Sequence, residues 1–418
     1  MAPLSLTQSR VDRMMHKESS KQVVLLLGPA FVAAVAYVDP GNFAANVGAG
    51  SAYGYLLLWV LVLANLMAAY VQYLSAKLGL VTGKSLPELL RERLSPLSRR
   101  LFWLQAESVA IACDIAEVVG GALALHLLFG LPLLVGGIIV GIVSLLLLLL
   151  YKKRRQSYFE RIIVGLLLII PLGFVVGLFA HPPDAKGIFE GLIPRFSDKD
   201  SLLIATAMVG ATIMPHVVYL HSALARDRHG KVAHHSLPRY LRVTKLDVMI
   251  AMAVAGTTNI VMLLMAATVF AQQGRIDDFS ASYNVISSSA GYPVAVLFAV
   301  GLLVSGLAST AVGNQAGSVI LQGLLRVQWS LFWRRVATLL PALVVLALGI
   351  SVTQLLIFSQ IVLSFGVPFA VGSLIYLTSS ERVMGKQVNT RLMKVVGYAV
   401  VVLVTLLNTL LITTTFIS

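Results

Sequence analysis

The chain has 418 residues, of which 58% are hydrophobic and 12% charged, with a mean hydropathy of +0.87. That excludes a soluble fold with a large core and describes a polytopic membrane protein. The net charge of +14 does not point to nucleic acid, because the basic residues sit in short loops between apolar spans.

Residues 1–22 form a polar, basic tail with no cleavable signal pattern after it. Eleven apolar spans follow, at about 23–48, 52–78, 102–128, 132–151, 161–180, 201–224, 246–271, 291–324, 335–350, 355–378 and 395–416. Several exceed the ~20 residues a bilayer needs, so they tilt, kink or protrude. With the N-terminus cytoplasmic, only Lys186, Arg195, Lys199 and Arg275 of the 32 basic residues fall outside. A missed or invented span would invert the loops and spoil that bias. The odd count puts the C-terminus outside.

Span 1 is interrupted by Asp39-Pro40-Gly41-Asn42. Proline removes a backbone donor and disfavours helix in the residue before it. A span broken there frees carbonyls at membrane depth, tolerated only where protein or a water-filled cavity satisfies them. An Asp in such a place marks a functional site.

Span 3 carries Glu107, Asp114 and Glu117. At 100° per residue the latter two lie about 20° and about 80° from Glu107, on one face that must meet a polar interior. Two readings stand: ion pairs that lock helices together, or a proton exit route. Arg334 and Arg335, at the cytoplasmic start of span 9, are the expected partners. Cys113, the one cysteine, rules out an intrachain disulfide and reads as a small packing residue.

A second break, Met214-Pro215-His216, interrupts span 6, five spans after the first. Paired interruptions at matching places in two halves point to a transporter's central site. Five being odd, the two five-span sets enter the membrane in opposite orientation, with both broken helices at the centre. The division expected is a tail (1–22), a first repeat (23–200), an inverted second repeat (201–380), and a loop with helix 11 (381–418).

Pooled, the breaks offer one carboxylate (Asp39), one amide oxygen (Asn42), one thioether (Met214) and freed carbonyls, those of Ala36 and Ala211 being the natural candidates. Oxygen ligands alone would suit calcium or magnesium. A thioether is a poor ligand for those and acceptable to Mn²⁺, Fe²⁺, Co²⁺ or Cd²⁺. The plain alternative for Met214 is apolar filling. His216 and His221 lie about 140° apart on a helix and cannot face one cavity. His216 is expected near the site, tuning or relaying protons, or else bonding the unwound backbone. His221 is expected to be a gate or packing residue. Asn259, Asn314 and Gln315 suit interhelical hydrogen bonds.

Asp39-Pro-Gly-Asn42 and Met214-Pro-His216-Val-Val-Tyr-Leu-His221-Ser222 resemble the two signatures of the Nramp family of proton-coupled divalent metal transporters. The resemblance covers nearly the whole chain. It departs at Val217-Val218, where many members carry Asn-Leu or Asn-Ile; neither position is a metal ligand in the family. It implies an all-α integral membrane protein with a LeuT-like inverted repeat of 5+5 transmembrane helices plus an eleventh, helices 1 and 6 unwound at mid-membrane. It also implies metal binding by Asp39, Asn42 and Met214, with the Ala36 and Ala211 carbonyls joining as the state changes. Gln360 in span 10 is named on the same ground as an outer-shell ligand. Acidic residues matching those of span 3 form a proton path separate from the metal path.

The expected activity is import of Mn²⁺ or Fe²⁺ (also Cd²⁺ and Co²⁺) with protons across the cytoplasmic membrane by alternating access. No cofactor is expected to be permanently bound. The partners expected are the metal ion, protons and the lipid bilayer, with no nucleic acid and no obligate protein. The rival readings are a sodium-coupled amino-acid transporter of the same fold, an ion channel, and a metal receptor that moves nothing. No nucleotide-binding signature or nucleophile–base arrangement suggests an enzyme.

Overall fold

A computed structural model describes residues 28–149, 165, 170–172, 174–179, 182–230, 232, 236–270 and 279–416. The tail 1–22, the start of span 1, the loop and early part of span 5 (150–164 and 166–169) and residues 271–278 lie outside the described residues. Everything regular among the described residues is helical.

Span 1 is two helices, Pro29–Ala36 and Pro40–Tyr53. Span 2 runs Leu58–Thr82, span 3 Pro96–Phe129 and span 4 Leu133–Leu149, and span 5 is helical over Ile170–Phe179. Span 6 is again two helices, Lys199–Thr212 and Pro215–His229. Spans 7 to 11 are Leu237–Val269, Tyr292–Leu325, Leu331–Ala347, Val352–Thr378 and Arg391–Phe416. Among the described residues seven helices, counting span 6 as one, are long and apolar enough to cross a membrane by length and composition.

Spans 3 and 7 start well before their apolar stretches. Ser95-Pro96 and Ser236-Leu237-Pro238 put proline in the first turn, where its missing N–H costs nothing. Short helices also form between spans, where hydropathy marks only loops. Leu86–Arg93 carries a Ser85/Glu88 capping box and buries Leu86, Leu89 and Leu90, a one-sided stripe. Ala185–Gly191 is capped by Asp184, and Phe279–Ser289 precedes span 8.

Burial is graded from centre to rim. Both halves of spans 1 and 6 are almost wholly buried. Span 11 buries a stripe that includes Val400, Val404, Asn408 and Leu411, while Leu392, Val395, Val402, Leu406 and Leu410 stay exposed. The 4-4-3 spacing is one helical face, and the outer face suits lipid.

Candidate functional site

The two breaks are built alike. Helix Pro29–Ala36 ends in a turn in which Asp39 N–H donates to the Ala36 carbonyl (3.2 Å). Asp39 then adopts an extended conformation and caps the second half-helix, with Pro40 at its first position. In span 6 the first half ends at Thr212, and Met214 holds the same capping position ahead of Pro215. Met214 has no side-chain capping bond, so its thioether is not committed to the helix end.

Asp39 and Asn42 are fully buried. Asp39 Oδ1 accepts from Asn42 N–H and from Asn42 Nδ2, both at 2.7 Å. Asn42 Nδ2 also donates to the Ala211 carbonyl at 3.0 Å, which joins the two breaks directly. Asp39 Oδ2 and Asn42 Oδ1 are left buried with no hydrogen-bond partner. Buried polar atoms are normally paired, so two unpaired acceptors on residues that are hydrogen-bonded to each other suit a cation.

Gln360 closes the site from span 10. A Cβ on Gly41 would lie 1.7 Å from Gln360 Nε2, so the glycine is what lets the amide lie on the first break. Gln360 Nε2 donates to Ser359 Oγ (3.0 Å), and its Oε1 has no partner. The Gln360 carbonyl meets the second break just as closely, 2.1 Å from where a Gly210 Cβ would stand. Ala36, Ala211, Met214 and Gln360 are all fully buried. Among the described residues no cluster of three His, Cys, Asp or Glu side chains is arranged for a metal. A cation here would rest on a single carboxylate plus neutral donors.

The two histidines diverge. His216 Nε2 lies 3.7 Å from Cys113 Sγ, which donates to Glu117 Oε1 at 3.5 Å. Cys113 therefore stands between the second break and the span 3 acids, a place its packing role alone did not suggest. His221 turns to span 2, with Nδ1 2.6 Å from Gln72 Oε1, and Gln72 Nε2 donates to the Tyr37 hydroxyl. That makes His221 a packed, hydrogen-bonded residue in the half-helix after the break.

The span 3 acids face spans 8 and 9. Arg335 Nη1 donates to both Asp114 oxygens at 2.6 and 2.7 Å. Arg334 Nη2 donates to Glu107 Oε1 at 2.8 Å and its Nε to the Asn314 carbonyl at 3.4 Å. Glu117 is fully buried, and its Oε2 has no hydrogen-bond partner. Glu107, Asp114 and Glu117 thus form a polar row from the second break to the start of span 9.

Two further contacts hold the first break. Asn259 of span 7 donates to the Tyr37 carbonyl (2.8 Å) and accepts from Asn46 (3.1 Å). Asp247 of span 7 accepts from the N–H groups of Gly28 (3.2 Å) and Ala30 (3.1 Å), anchoring the first half-helix. Gln72, Tyr37 and Asp247 were legible only as polar residues inside apolar stretches, a signal that names a position without its partner.

Membrane-spanning helices of which two are proline-broken at a shared polar centre define a multi-pass membrane transporter. The family model described as natural resistance-associated macrophage protein-like, Nramp, matches residues 30–414. A divalent metal cation transporter MntH of Mycobacterium tuberculosis is 53% identical over 401 residues, covering 95% of this chain and 93% of that one. The crystal structure of an Eremococcus coleocola manganese transporter matches with a TM-score of 0.83 and 32% identity, over 93% of this chain and 86% of that one. A nucleobase-cation-symport-1 family transporter shares the fold alone, at 15% identity and a TM-score of 0.56, over 93% of each chain. The chain belongs to the Nramp family, with the LeuT-like fold of its members, and is a transporter rather than an enzyme.

Proposed function

We propose that this protein imports Mn²⁺ and Fe²⁺, and accepts Co²⁺ and Cd²⁺, together with protons across the cytoplasmic membrane. The observation that carries the reading is the junction of the breaks. Asp39 Oδ2 and Asn42 Oδ1 are buried and unpaired there, with the Ala211 carbonyl within reach of the same amide. The metal names borne by the Mycobacterium tuberculosis and Eremococcus coleocola relatives support it.

In this reading Asp39 supplies the charge, Met214 the softness that disfavours calcium, and Asn42 with the Ala36 and Ala211 carbonyls replaces hydration water. Gln360 completes the shell from span 10. Metal enters from outside between spans 1, 6 and 10 and takes the place of a proton on Asp39. The proton leaves separately by His216, Glu117, Asp114 and Glu107 toward Arg334 and Arg335. His221 holds the cytoplasmic side closed until spans 1 and 6 move. The N-terminus is cytoplasmic and the C-terminus outside. The two repeats divide near residue 200, and neither a resident cofactor nor an obligate protein partner is required.

The amino-acid reading needs free N–H groups at a half-helix start to receive a carboxylate. Here Asp39 takes the Asn42 N–H itself, and prolines hold the first positions. That favours a cation at the junction.

The test is Mn²⁺ uptake into proteoliposomes with and without an inward proton gradient, against excess Ca²⁺. The reading expects uptake driven by the gradient and abolished by Asp39→Ala. Uptake indifferent to the gradient would remove the coupling. No Mn²⁺ flux at all, with uptake of labelled alanine or leucine, would replace the substrate.

A further inference from the structure

Span 10 has a proline inside it, Pro368. A helical residue donates its N–H to the carbonyl four residues earlier, so Pro368 leaves the Ser364 carbonyl without its intrahelical donor. In a membrane such a carbonyl must find a donor on a neighbour. It finds one on span 11, where Asn408 Nδ2 donates to the Ser364 carbonyl at 2.9 Å. Ser364 Oγ returns the contact by donating to Asn408 Oδ1 at 2.5 Å. Both residues are buried, and Asn408 is the polar member of the stripe by which an otherwise lipid-facing helix touches the bundle.

The turn that Asn408 holds lies against the candidate site. Ser364 stands one helical turn after Gln360. Its backbone N and its Cβ would each lie 2.8 Å from a Cβ on Gly210, the residue before Ala211. Two residues on, a Cβ on Gly366 would lie 2.9 Å from Pro215 Cγ. The proline-weakened turn of span 10 therefore packs on both sides of the second break. It also aims Gln360 at the first.

We propose that Asn408 is a positioning residue for substrate. By occupying the carbonyl that Pro368 orphans, it fixes the span 10 turn and hence the placement of Gln360 and the Gly210-Ala211 backbone. Span 11 is then part of the transport machinery, not an appendage to the ten-helix repeat. This rests on the metal reading above.

The experiment is a double-mutant cycle on the purified full chain. Mn²⁺ affinity is measured by titration calorimetry, and uptake KM and kcat in proteoliposomes. Asn408→Leu keeps the shape and deletes the amide, and Pro368→Ala gives the Ser364 carbonyl an N–H of its own. In the wild-type background Asn408→Leu is expected to raise Kd and KM about tenfold. In the Pro368→Ala background it is expected to change them less than about twofold. A role in folding alone would lower the yield of active protein, and so apparent kcat, with KM unmoved. Unchanged KM, or the same loss in both backgrounds, overturns the proposal. If Asn408→Leu does not fold, Asn408→Ser, too short to reach the carbonyl, carries the same comparison. A wild type that binds no Mn²⁺ would fail the metal reading itself, an outcome separate from failure of Asn408.

Discussion

Asp39 does two things at once with its two oxygens. Oδ1 caps a half-helix and steers Asn42, while Oδ2 is left unpaired. Asp39→Asn keeps a capping oxygen but loses the charge, so the fold should survive while Mn²⁺ uptake falls at least about 100-fold. Met214→Ala should leave Mn²⁺ bound about tenfold more weakly and remove the preference over Ca²⁺, read by competition uptake. Discrimination intact in that variant would return Met214 to the role of apolar filler. The Arg335–Asp114 pair is a different case, because both partners are buried. Arg335→Met should cost about 3–5 kcal/mol by stranding the carboxylate, and Asp114→Asn in the same chain should restore most of it. Thermal melts of the wild type and the two variants check this. Had the single variant been as stable as wild type, the pair would not be what holds span 9 to span 3.

At the scale of elements, the chain's punctuation explains most of the architecture. Asp39-Pro40 and Met214-Pro215 were readable as breaks because proline at a first helical position is local chemistry. The structure adds that Asp39 and Met214 hold equivalent capping positions. Not readable was which helices the freed groups would meet. The Asn42–Ala211 bond spans 169 positions and the Asp247 contact with Gly28 219, and no local pattern encodes either. The short helix Leu86–Arg93 was overlooked because hydropathy sees only its charges. It docks through Leu86 N–H to Ser222 Oγ (2.8 Å), the Glu88–Arg226 pair, and Arg91 Nη1 to the Gly323 carbonyl (2.8 Å). Burial alone would raise the Glu88 carboxyl, but hydrogen bonds from Ser85 and the charge of Arg226 outweigh it and hold it below its usual 4.5. A depressed carboxylate stabilises the folded state above its ordinary range and stops doing so as pH falls through its folded value. Glu88→Gln should therefore lower the melting temperature at pH 7, and the gap should close as the pH drops below about 4.5. A gap constant with pH would mean the side chain acts by packing.

At the scale of the whole molecule, the proposed mechanism sends two polar routes from one centre. In it metal passes between spans 1, 6 and 10, and protons follow the row Glu117, Asp114 and Glu107, the latter two of which pair with Arg335 and Arg334. Separate routes predict separable losses. Glu117→Gln should retain Mn²⁺ binding within about threefold while uptake loses its response to a proton gradient. Equal loss of binding and coupling would merge the two routes into one. The all-helical fold and the two proline breaks were legible in the sequence because hydropathy and helix breaking act through residue type. The link through Cys113 was not, because its meaning depends on His216 and Glu117 from two different turns and two different spans meeting its sulfur. The measurement that tests the central claim most directly is anomalous scattering from crystals grown with Mn²⁺. The account predicts one peak at the junction of the breaks, within bonding distance of Asp39 Oδ2 and Asn42 Oδ1. No peak there, or a peak only at exposed carboxylates such as Asp184 and Glu190, would contradict it.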